Sequence, residues 1–379
     1  MLIVAVHSSA ELYGSDRSFL AICLAGVRAG HQVIALLPEE GPLADRLRPH
    51  GVDVRVTDVA VLRRTAIGTF AGWRELWRGL LRSVSVARRL RGSPAGQQTV
   101  IVSNTSAVVS GRLIAALSKA PHVQIVREIY SSSLERKLFG MLVRRSAAVI
   151  CVSGAVRDQF KSAEGWATRV EVVYSGAELA HSSFTAREEH DGPLRVVCVG
   201  RLSSWKGQST LIRAAARLSE DGRATHVRLV GGEYGGSTTV TRDLEVLARD
   251  LGISHSVEFV GEVDDPSDYY QWADVVVVPS ERPEPFGKVV IEAMNTSRPV
   301  VASDQGGPAE VIRGSGAGTL FAPGDSESLA RELANIEPGT AEWQAMSHAA
   351  FERSQTYSVH TSANVVLSIV QAAAETGGR

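Results

Sequence analysis

The sequence predicts an α/β protein with two doubly wound domains, each built on a parallel sheet. Short apolar runs alternate with helical patterns along most of the chain, which is typical of βαβ units. The 379 residues exceed the usual size of one hydrophobic core. A polar stretch at 178–193 interrupts the alternation and is predicted to link the domains. Two such domains joined by a linker imply a cleft between them.

In the first half, apolar segments of four to six residues predict the strands, and the patterns at 17–29 and 105–118 predict helices. The predicted strands are 2–6, 32–37, 52–56, 99–102, 123–126, 148–152 and 170–173. These segments make up the first predicted domain, residues 1–186, a Rossmann-like unit.

The second half repeats the pattern and forms the second predicted domain, residues 187–355. Its predicted strands are 195–199, 226–230, 257–260, 274–278, 299–302 and 319–321. The last segment, 357–375, is helical by composition. We expect the chain after about residue 356 to cross back and complete the first domain.

Composition gives no support for a nucleic-acid-binding, membrane-spanning or metal-binding protein. The net charge of −1 gives no argument for nucleic-acid binding, and no apolar run approaches the roughly 20 residues that span a bilayer. The strand-like LIVAV at 2–6, without a basic segment and cleavage site before it, leads us to expect no leader peptide. Cys23, Cys151 and Cys198 lie in apolar surroundings without metal-site spacing, which predicts reduced core residues in a cytoplasmic protein. The histidines also lack metal-site spacing, so we expect no metal.

The segment 63–91 combines eight arginines and a single acid, Glu75, with Trp73, Trp77 and several aliphatic residues. Helical spacing places the apolar residues on one face. One interpretation is a basic helix that contacts an anionic membrane peripherally. The other is an ordinary surface helix that packs its apolar face on the sheet and leaves its arginines in water.

The stretch 282–294 is the most informative in the second half. It follows the apolar run 274–279, passes through a loop rich in proline and glycine, and enters a helical pattern. Glu284 and Glu292 therefore lie at the carboxyl end of a strand, where open α/β sheets bind ligands. The backbone N–H groups of 286–288 could hold an anion at the helix start. The alternative is a plain connection with two solvated acids.

A second loop follows the first strand of the second half, at 196–207. Arg201 and Lys206 flank it, and Gly207 lies where the next helix begins. The two cations could close on one diphosphate and stabilise charge on a leaving phosphate without a metal. Two solvated cations are the alternative. In the first half, His7 ends the first strand and Gly14 lies near a helix start, where the backbone could approach a phosphate or sugar.

These stretches together resemble one known family. Residues 201–207 resemble the RxxxxKG motif of the retaining glycosyltransferase family 4, whose members have the GT-B fold. Residues 284–292 resemble its E-x7-E motif, and 299–310 are similar to its strand and Gly-Gly turn. The likeness covers almost the whole chain and is strongest over 195–311.

The resemblance implies a role for each matching residue. Arg201 and Lys206 would hold the diphosphate of a nucleotide sugar, Glu292 the ribose hydroxyls, and Glu284 the hydroxyls of the donor sugar. Gly14 would belong to a loop that closes on the diphosphate. The implied donor site comprises Gly14, Arg201, Lys206, Gly261, Glu262, Glu284, Pro285, Phe286, Gly287, Lys288 and Glu292, with 261–262 near the base.

The chain departs from the family at the end of the strand 123–126. Many relatives place a histidine there, near the reacting sugar, whereas this chain has Arg127 and Glu128. Arg127 could orient the sugar or an anionic acceptor, and Glu128 could take the acceptor's proton. A purely structural salt bridge between the two is the alternative. The expected catalytic residues are Arg201, Lys206, Glu284, Arg127 and Glu128.

Acceptor contacts are expected from His7, Asn104, Arg127 and Glu128. Residues 104–106 also fit the N-glycosylation pattern, which requires a secreted chain. A further departure is Ser297, where relatives often have glycine; we expect it to affect only a turn.

The expected function is transfer of a sugar, with retention, from a nucleotide-diphosphate sugar to an acceptor hydroxyl. The second domain would bind the donor and the first the acceptor, which could be a small molecule, a natural product or a lipid-linked glycan. The nucleotide sugar is a co-substrate, and no cofactor is expected. The alternatives are a nucleotide-sugar-binding protein without transfer activity, or an epimerase or hydrolase of the same fold.

Overall fold

The computed structural model describes the chain except for residues 63–68, 92–96, 161–168, 182, 186–191, 234–237 and 377–379. The chain forms two compact units. Unit 1 comprises Met1–Gly176 and Val359–Arg379, and unit 2 comprises Ala177–Ser358. The domain boundary predicted at 186/187 lies outside the described residues.

Unit 1 contains a seven-stranded parallel sheet in the order β3-β2-β1-β4-β5-β6-β7. Its strands are β1 (Leu2–Val6), β2 (Gln32–Leu37), β3 (Asp53–Val56), β4 (Thr99–Ser103), β5 (His122–Val126), β6 (Ala148–Cys151) and β7 (Arg169–Val172). The central strand β1 is buried along its whole length, as its unbroken apolar run requires for a strand covered on both faces.

Unit 2 contains a six-stranded parallel sheet in the order β10-β9-β8-β11-β12-β13. Its strands are β8 (Leu194–Val199), β9 (Thr225–Val230), β10 (Val257–Gly261), β11 (Val275–Val278), β12 (Val300–Ser303) and β13 (Gly318–Phe321). The valines of β11 are buried between helices on both faces of the sheet. Each sheet has the strand order of a doubly wound fold, as predicted.

Helices connect the strands in both units. In chain order they are α1 (Gly14–Arg28), α2 (Pro42–Leu47), α3 (Phe70–Arg91), α4 (Val109–Ser118), α5 (Ser133–Val143), α6 (Gly154–Asp158), α7 (Gln208–Glu220), α8 (Thr239–Asp250), α9 (Ser267–Trp272), α10 (Lys288–Asn295), α11 (Gly306–Ile312), α12 (Ser326–Ala334), α13 (Ala341–Gln355) and α14 (Val359–Thr376). The last helix, α14, belongs to unit 1 and packs on α1. The predicted return of the chain to the first domain is therefore confirmed.

The two faces of the unit 1 sheet carry different helices. The connections from β1 to β2 and β3 step one way across the sheet, whereas those from β3 through β6 step the other way. Because such crossovers are right-handed, α1 and α2 lie on one face, and α3, α4 and α5 lie on the other. The helix α14, packed on α1, belongs to the first face.

One predicted helix is wrong at its start. The pattern predicted a helix over 105–118, but α4 begins only at Val109. The hydroxyl Oγ1 of Thr105 accepts a hydrogen bond from the N–H of Ala107 at 3.1 Å, and Val108 forms a bridge with Val61. Side-chain hydrogen bonds to the local backbone compete with helix formation, so these residues form a turn instead.

Ser297 has an energetic cost that the sequence did not indicate. Its φ of 61° lies in the left-handed region that favours glycine. Neighbouring groups hold it there: its carbonyl accepts from the Ser347 hydroxyl at 2.6 Å, and its own hydroxyl accepts from the Thr185 N–H at 3.1 Å. The departure from glycine therefore strains the backbone at the turn before β12.

Two further expectations concern compartment and membrane. All three cysteines are free and buried. No helix in the described part of the chain is long and apolar enough to cross a membrane.

Candidate functional site

The first loop of unit 2 runs from the end of β8 to the start of α7 and ends at Gly207. Gly207 has a φ of 73°, and a Cβ there would lie 1.9 Å from the carbonyl oxygen of Pro279. Only glycine allows this approach, so the loop lies directly against the residue that follows β11. The packing brings Lys206, one residue earlier, to the carboxyl end of the sheet.

Lys206 pairs with Glu284 across these two loops. The ammonium Nζ lies 2.8 Å from Oε1 of Glu284, and both side chains are largely buried. The Ser280 hydroxyl donates to the same carboxylate oxygen. The ammonium also lies 4.7 Å from the ring centre of Trp205. A buried ion pair of this kind is costly to break unless another charge replaces the lost partner.

The backbone of Glu284 is held by the Gly306-Gly307 turn. The N–H of Gly307 donates to the Glu284 carbonyl at 2.8 Å. A Cβ on Gly306 would come within 2.5 Å of that carbonyl oxygen, and one on Gly307 within 2.4 Å of the Phe286 Cα. Neither glycine leaves room for a side chain, because the turn at the start of α11 is packed against the loop before α10.

Glu292 lies in the second turn of α10 and faces a buried tyrosine. The hydroxyl of Tyr270, on α9, donates to Oε2 of Glu292 at 2.9 Å. Burial, with the neighbouring Glu292 charge, raises the pKa of Tyr270 well above its usual value, so this hydroxyl stays protonated and donates. One oxygen of the carboxylate is thus oriented by the protein, and the other can accept from a ligand.

The remaining predicted donor residues surround this centre. Gly287, with a φ of 80°, precedes α10, so the amides of 286–288 lie at a helix start, as predicted. Gly261 ends β10 with a φ of 84°, and its carbonyl accepts from the Gly231 N–H at 2.7 Å. Glu262 follows it and is exposed. The side chain of Arg201 is also exposed, and Pro285 is partly buried.

In unit 1, Arg127 follows β5 and its guanidinium is held by neutral partners. It donates to Oδ1 of Asn104 from Nε at 3.1 Å and from Nη2 at 3.0 Å, and to the Ser175 hydroxyl at 2.7 Å. Burial lowers the pKa of Arg127 to about 10, which still leaves it charged at neutral pH. The end of β5 therefore presents a partly buried cation.

Asn104 connects Arg127 to His7. Because Arg127 donates to its oxygen, its amide nitrogen faces His7 and lies 3.2 Å from Nδ1. Nδ1 is then the acceptor, so the ring proton is on Nε2, which lies 2.5 Å from Oδ1 of Asp16. Burial lowers the pKa of His7, which favours this neutral form.

This network also explains where two predicted acceptor residues lie. His7 and Asn104 are both 0% exposed, and the His7 ring stacks on Phe19 at 4.7 Å. The other oxygen of Asp16 accepts from the N–H of Tyr13 at 2.9 Å. The network therefore reaches the start of α1 beside the exposed Gly14.

The side chains of Glu128 and Arg127 have different hydrogen-bond partners. Oε2 of Glu128 accepts from the Ser106 hydroxyl at 2.6 Å and from the Arg127 backbone N–H at 3.1 Å. The Ser106 hydroxyl also bonds the hydroxyl of Tyr130. Among the ion pairs between described residues, none joins the Arg127 guanidinium to Glu128. The alternative of a structural salt bridge between the two is therefore not what the structure shows.

Several residues that build these sites were not predicted. Asp16 could have been suspected from its place in the first turn of α1, and Ser280 from its position two residues after β11. Tyr270 carries no sequence signal, because its contact with Glu292 depends on the packing of α9 on α10. Ser175 lies just beyond β7 and contacts Arg127 only through the order of the strands. Within the described ranges, no group of three acidic, histidine or cysteine side chains could hold a metal.

Comparison with known proteins identifies the family. The family model described as "Glycosyltransferase Family 4" matches residues 13–181, and the model "Glycosyl transferases group 1" matches residues 182–353. The chain belongs to glycosyltransferase family 4. The predicted resemblance is thereby confirmed.

Two curated relatives show how far the sequence likeness extends. A glycogen synthase of Mycobacterium tuberculosis is 30% identical over 229 residues, which are 59% of this chain and 54% of that protein. A D-inositol 3-phosphate glycosyltransferase of Mycolicibacterium gilvum is 33% identical over 196 residues, which are 48% of this chain and 43% of that protein. The chain spans about half the length of the curated relatives it matches.

A solved structure shares the fold over nearly the whole chain. The crystal structure of Anabaena HepE in complex with UDP-glucose matches with a TM-score of 0.76 and 25% sequence identity, covering 99% of each chain. The fold is GT-B, as the resemblance implied.

Proposed function

We propose that this protein is a retaining glycosyltransferase that moves a sugar from a nucleotide-diphosphate sugar to an acceptor hydroxyl. The observation that carries the proposal is the Lys206–Glu284 pair, 2.8 Å apart at the carboxyl end of the unit 2 sheet. The pair joins the two family motifs that lie 78 positions apart in sequence. In this proposal unit 2 binds the donor and unit 1 binds the acceptor.

Lys206 and Arg201 bind the donor diphosphate. In the structure the Lys206 ammonium is neutralised by Glu284, so a diphosphate that enters the site competes for the same cation. The exchange replaces one carboxylate with a phosphate oxygen, so the ammonium keeps an anionic partner, while the buried Glu284 carboxylate needs new hydrogen-bond donors. The exposed Arg201 adds a planar fork of donors, which suits phosphate oxygens.

Glu284 and Glu292 bind the two polyol parts of the donor. Once Lys206 turns towards the diphosphate, the Glu284 carboxylate accepts from hydroxyls of the donor sugar. The oxygen of Glu292 that Tyr270 does not hold accepts from the ribose hydroxyls. The amides of 286–288 complete the phosphate and sugar contacts, and residues 261–262 lie near the base. A contact of the Gly14 loop with the diphosphate stays a prediction from the family resemblance. The likeness to a protein crystallised with UDP-glucose supports a uridine nucleotide.

On the acceptor side, Arg127 is the group that meets the substrate. Among the described residues, its guanidinium donates to the neutral groups of Asn104 and Ser175 and forms no direct ion pair, which suits an anionic acceptor or the sugar. The complete burial of His7 and Asn104 supports a positioning role for both, through the orientation of Arg127. Glu128 holds the turn at Ser106, whose hydroxyl donates to its carboxylate.

The reaction breaks the bond between the anomeric carbon and the phosphate oxygen, and that oxygen keeps the electron pair. The acceptor oxygen bonds the anomeric carbon from the same face, which retains the configuration, and its proton passes to the departing phosphate. Lys206 and Arg201 stabilise the charge that develops on the leaving diphosphate. We place this reaction in the cytoplasm, supported by three buried, free cysteines.

The test is an assay of nucleotide release with and without candidate acceptors. A thermal-shift screen of UDP- and GDP-sugars first selects the donor, since a ligand bound by the native state raises apparent stability. Release that requires acceptor and yields a glycosylated product supports the transferase. Release without acceptor indicates a hydrolase, a changed sugar configuration indicates an epimerase, and tight donor binding without turnover indicates a binding protein. Each of these three outcomes would overturn the proposal.

A further inference from the structure

The helix α3 of unit 1 exposes a stripe of large apolar side chains. Phe70, Trp73, Trp77 and Leu81 are 89%, 49%, 62% and 68% exposed. Their spacing of three or four residues places them on one side of the helix. A soluble surface seldom exposes several large apolar residues together without an interaction that covers them.

The fully buried residues of α3 are small, and the larger Val86 and Leu90 are partly buried against the core. Gly79, Ser83 and Ala87 are buried, and a Cβ on Gly79 would lie 2.2 Å from the backbone nitrogen of Ala60. These residues allow α3 to pack closely on α4. The alternative of an ordinary surface helix holds for Val86 and Leu90, which pack on the core of unit 1, but the two tryptophans point outward.

Arginines flank the exposed stripe. The helix contains one acid, Glu75, and six arginines: Arg74, Arg78, Arg82, Arg88, Arg89 and Arg91. Within the described residues, α3 has one ion pair with an acid outside it, from Arg82 to Asp58 at 3.7 Å. The helix thus combines an outward apolar stripe with a strong positive charge.

The helix α5 repeats this combination. Leu134, Leu138 and Met141, spaced by four and three residues, are 75%, 41% and 65% exposed, whereas Phe139 and Val143 are buried. The exposed basic residues beside them are Arg136, Lys137, Arg144 and Arg145. The one acid of α5, Glu135, lies in its first turn, where it caps the helix start.

Both helices lie on the same face of the unit 1 sheet, opposite α1 and α14, because the crossovers that contain them step in the same direction. The helix α4 lies between them and packs on α3. Burial, together with the charge of Arg145 just after α5, lowers the pKa of Arg112 on α4. A groove beside α3 adds to this face. Its lining combines apolar side chains with three arginines and one acid: Ile34, Leu36, Leu90, Arg55, Arg82, Arg89 and Asp58.

We propose that this face of unit 1, formed by α3 and α5, docks on an anionic lipid bilayer. Tryptophan and aliphatic side chains insert between headgroups, while arginines beside them bind lipid phosphates. Charge complementarity selects the occupant: both exposed stripes are bordered by basic residues, as an anionic membrane requires. The proposal uses no assignment of donor or acceptor and goes beyond the glycosyl transfer proposed above.

The experiment is sedimentation of the full-length chain with vesicles of phosphatidylcholine, with and without 40% phosphatidylglycerol as the stated probe. We expect at least about tenfold stronger binding to the anionic vesicles, since each arginine near the surface adds to the attraction. Raising the salt to 0.5 M should weaken this binding, because charges at the surface are screened. Equal binding to both vesicle types, or none to either, would overturn the proposal.

Variants test which face binds. Trp73→Ser with Trp77→Ser, and separately Leu138→Ser with Met141→Ser, should each weaken vesicle binding by about tenfold or more through lost apolar burial. The matched control is Arg242→Glu with Arg249→Glu on α8 of unit 2, which alters exposed charge elsewhere and should bind at least half as tightly as the parent.

Nucleotide binding by all these variants should equal that of the parent chain, which separates this test from that of the proposed function. Unchanged vesicle binding by both face variants would contradict the proposal. So would a lipid-independent dimer that the Trp73 and Trp77 substitutions dissociate, because a second copy of the chain would then be the occupant.

Discussion

The two units present charge at the carboxyl ends of their sheets in different ways. In unit 2, Lys206 is matched directly by Glu284 at 2.8 Å. In unit 1, the Arg127 guanidinium is held by Asn104 and Ser175, which are neutral. The cation of a matched pair keeps an anionic partner when a phosphate replaces its carboxylate, whereas a cation with neutral partners stays oriented and keeps its charge for a ligand. The difference supports a donor site in unit 2 and an acceptor-facing group in unit 1.

The largest effect should come from removing the unit 2 cation. We expect Lys206→Ala to lower the transfer rate by at least about 100-fold, because charge on the leaving diphosphate loses a preorganised partner. The measurement is initial-rate kinetics at saturating acceptor. The control is Arg217→Ala, an exposed residue on α7, with less than a twofold effect. Near-normal turnover by the Lys206 variant would show that Lys206 does not stabilise the leaving diphosphate. The proposed difference between the cations of the two units would then be wrong.

A pair of glycines tests whether close packing holds the unit 2 loop. Gly207 and Gly222 flank α7, and both have positive φ, but a Cβ meets the Pro279 carbonyl at 1.9 Å only at Gly207. We expect Gly207→Ala to lower the free energy of unfolding by about 2 kcal/mol more than Gly222→Ala, since only the first adds a steric clash. Urea denaturation of both variants checks this. Equal losses would mean that the loop can move away from β11.

The free energy of unfolding should fall in acid, because unit 1 buries a neutral histidine, His122. His122 is buried between the hydroxyls of Ser103 and Ser146, each at 2.9 Å, and burial lowers its pKa from 6.5 to about 3. As the pH falls below 6.5, the unfolded chain binds a proton that the folded chain excludes, so stability is full above pH 6.5 and declines towards pH 3. We expect a loss of about 2 kcal/mol between pH 7 and pH 5.

The check is urea denaturation of the parent chain and of His122→Gln at both pH values. The variant should lack this part of the decline, while the contribution of other histidines such as His7 remains in both proteins. A parallel decline in the two proteins would show that His122 is protonated at little cost in the folded state.

The smallest effect concerns the orientation of Glu292. Tyr270→Phe removes one hydroxyl that donates to the carboxylate, and we expect nucleotide affinity to fall by about three- to tenfold, the value of one hydrogen bond. Glu292→Ala should cost more than Tyr270→Phe. Calorimetric titration of the nucleotide into each variant measures both, and unchanged affinity in Glu292→Ala would show that the ribose role is wrong.

Sequence patterns predicted much of the fold because apolar runs mark buried parallel strands. The bounds of β1 and β2 agree with the prediction to the residue, and the thirteen predicted strands all occur in the predicted order. The start of α4 could not be predicted from periodicity, because hydroxyl groups at 105–106 form their own hydrogen bonds. Likewise, nothing in the helical spacing of α3 says which of its faces is buried.

The two units differ in how many of their site residues could be predicted from the sequence. In unit 2, the charges and glycines that form the site lie within motifs, so Lys206, Glu284 and the Gly306-Gly307 turn were all singled out. Their contact still depends on which strands are neighbours, since β8 lies beside β11 in the sheet. In unit 1, Arg127 acts with Ser175 and Asp16, which come from separate elements and carry no shared pattern.

The central claim is that the Lys206 ammonium, held by Glu284 in this structure, binds the donor diphosphate. Calorimetric titration of UDP and of uridine into the parent chain and into Lys206→Ala tests it most directly. We predict that the UDP dissociation constant rises by at least about tenfold in the variant, the loss of one charge-assisted hydrogen bond, while that of uridine stays the same. An unchanged UDP dissociation constant, or an equal rise for uridine, would contradict the claim.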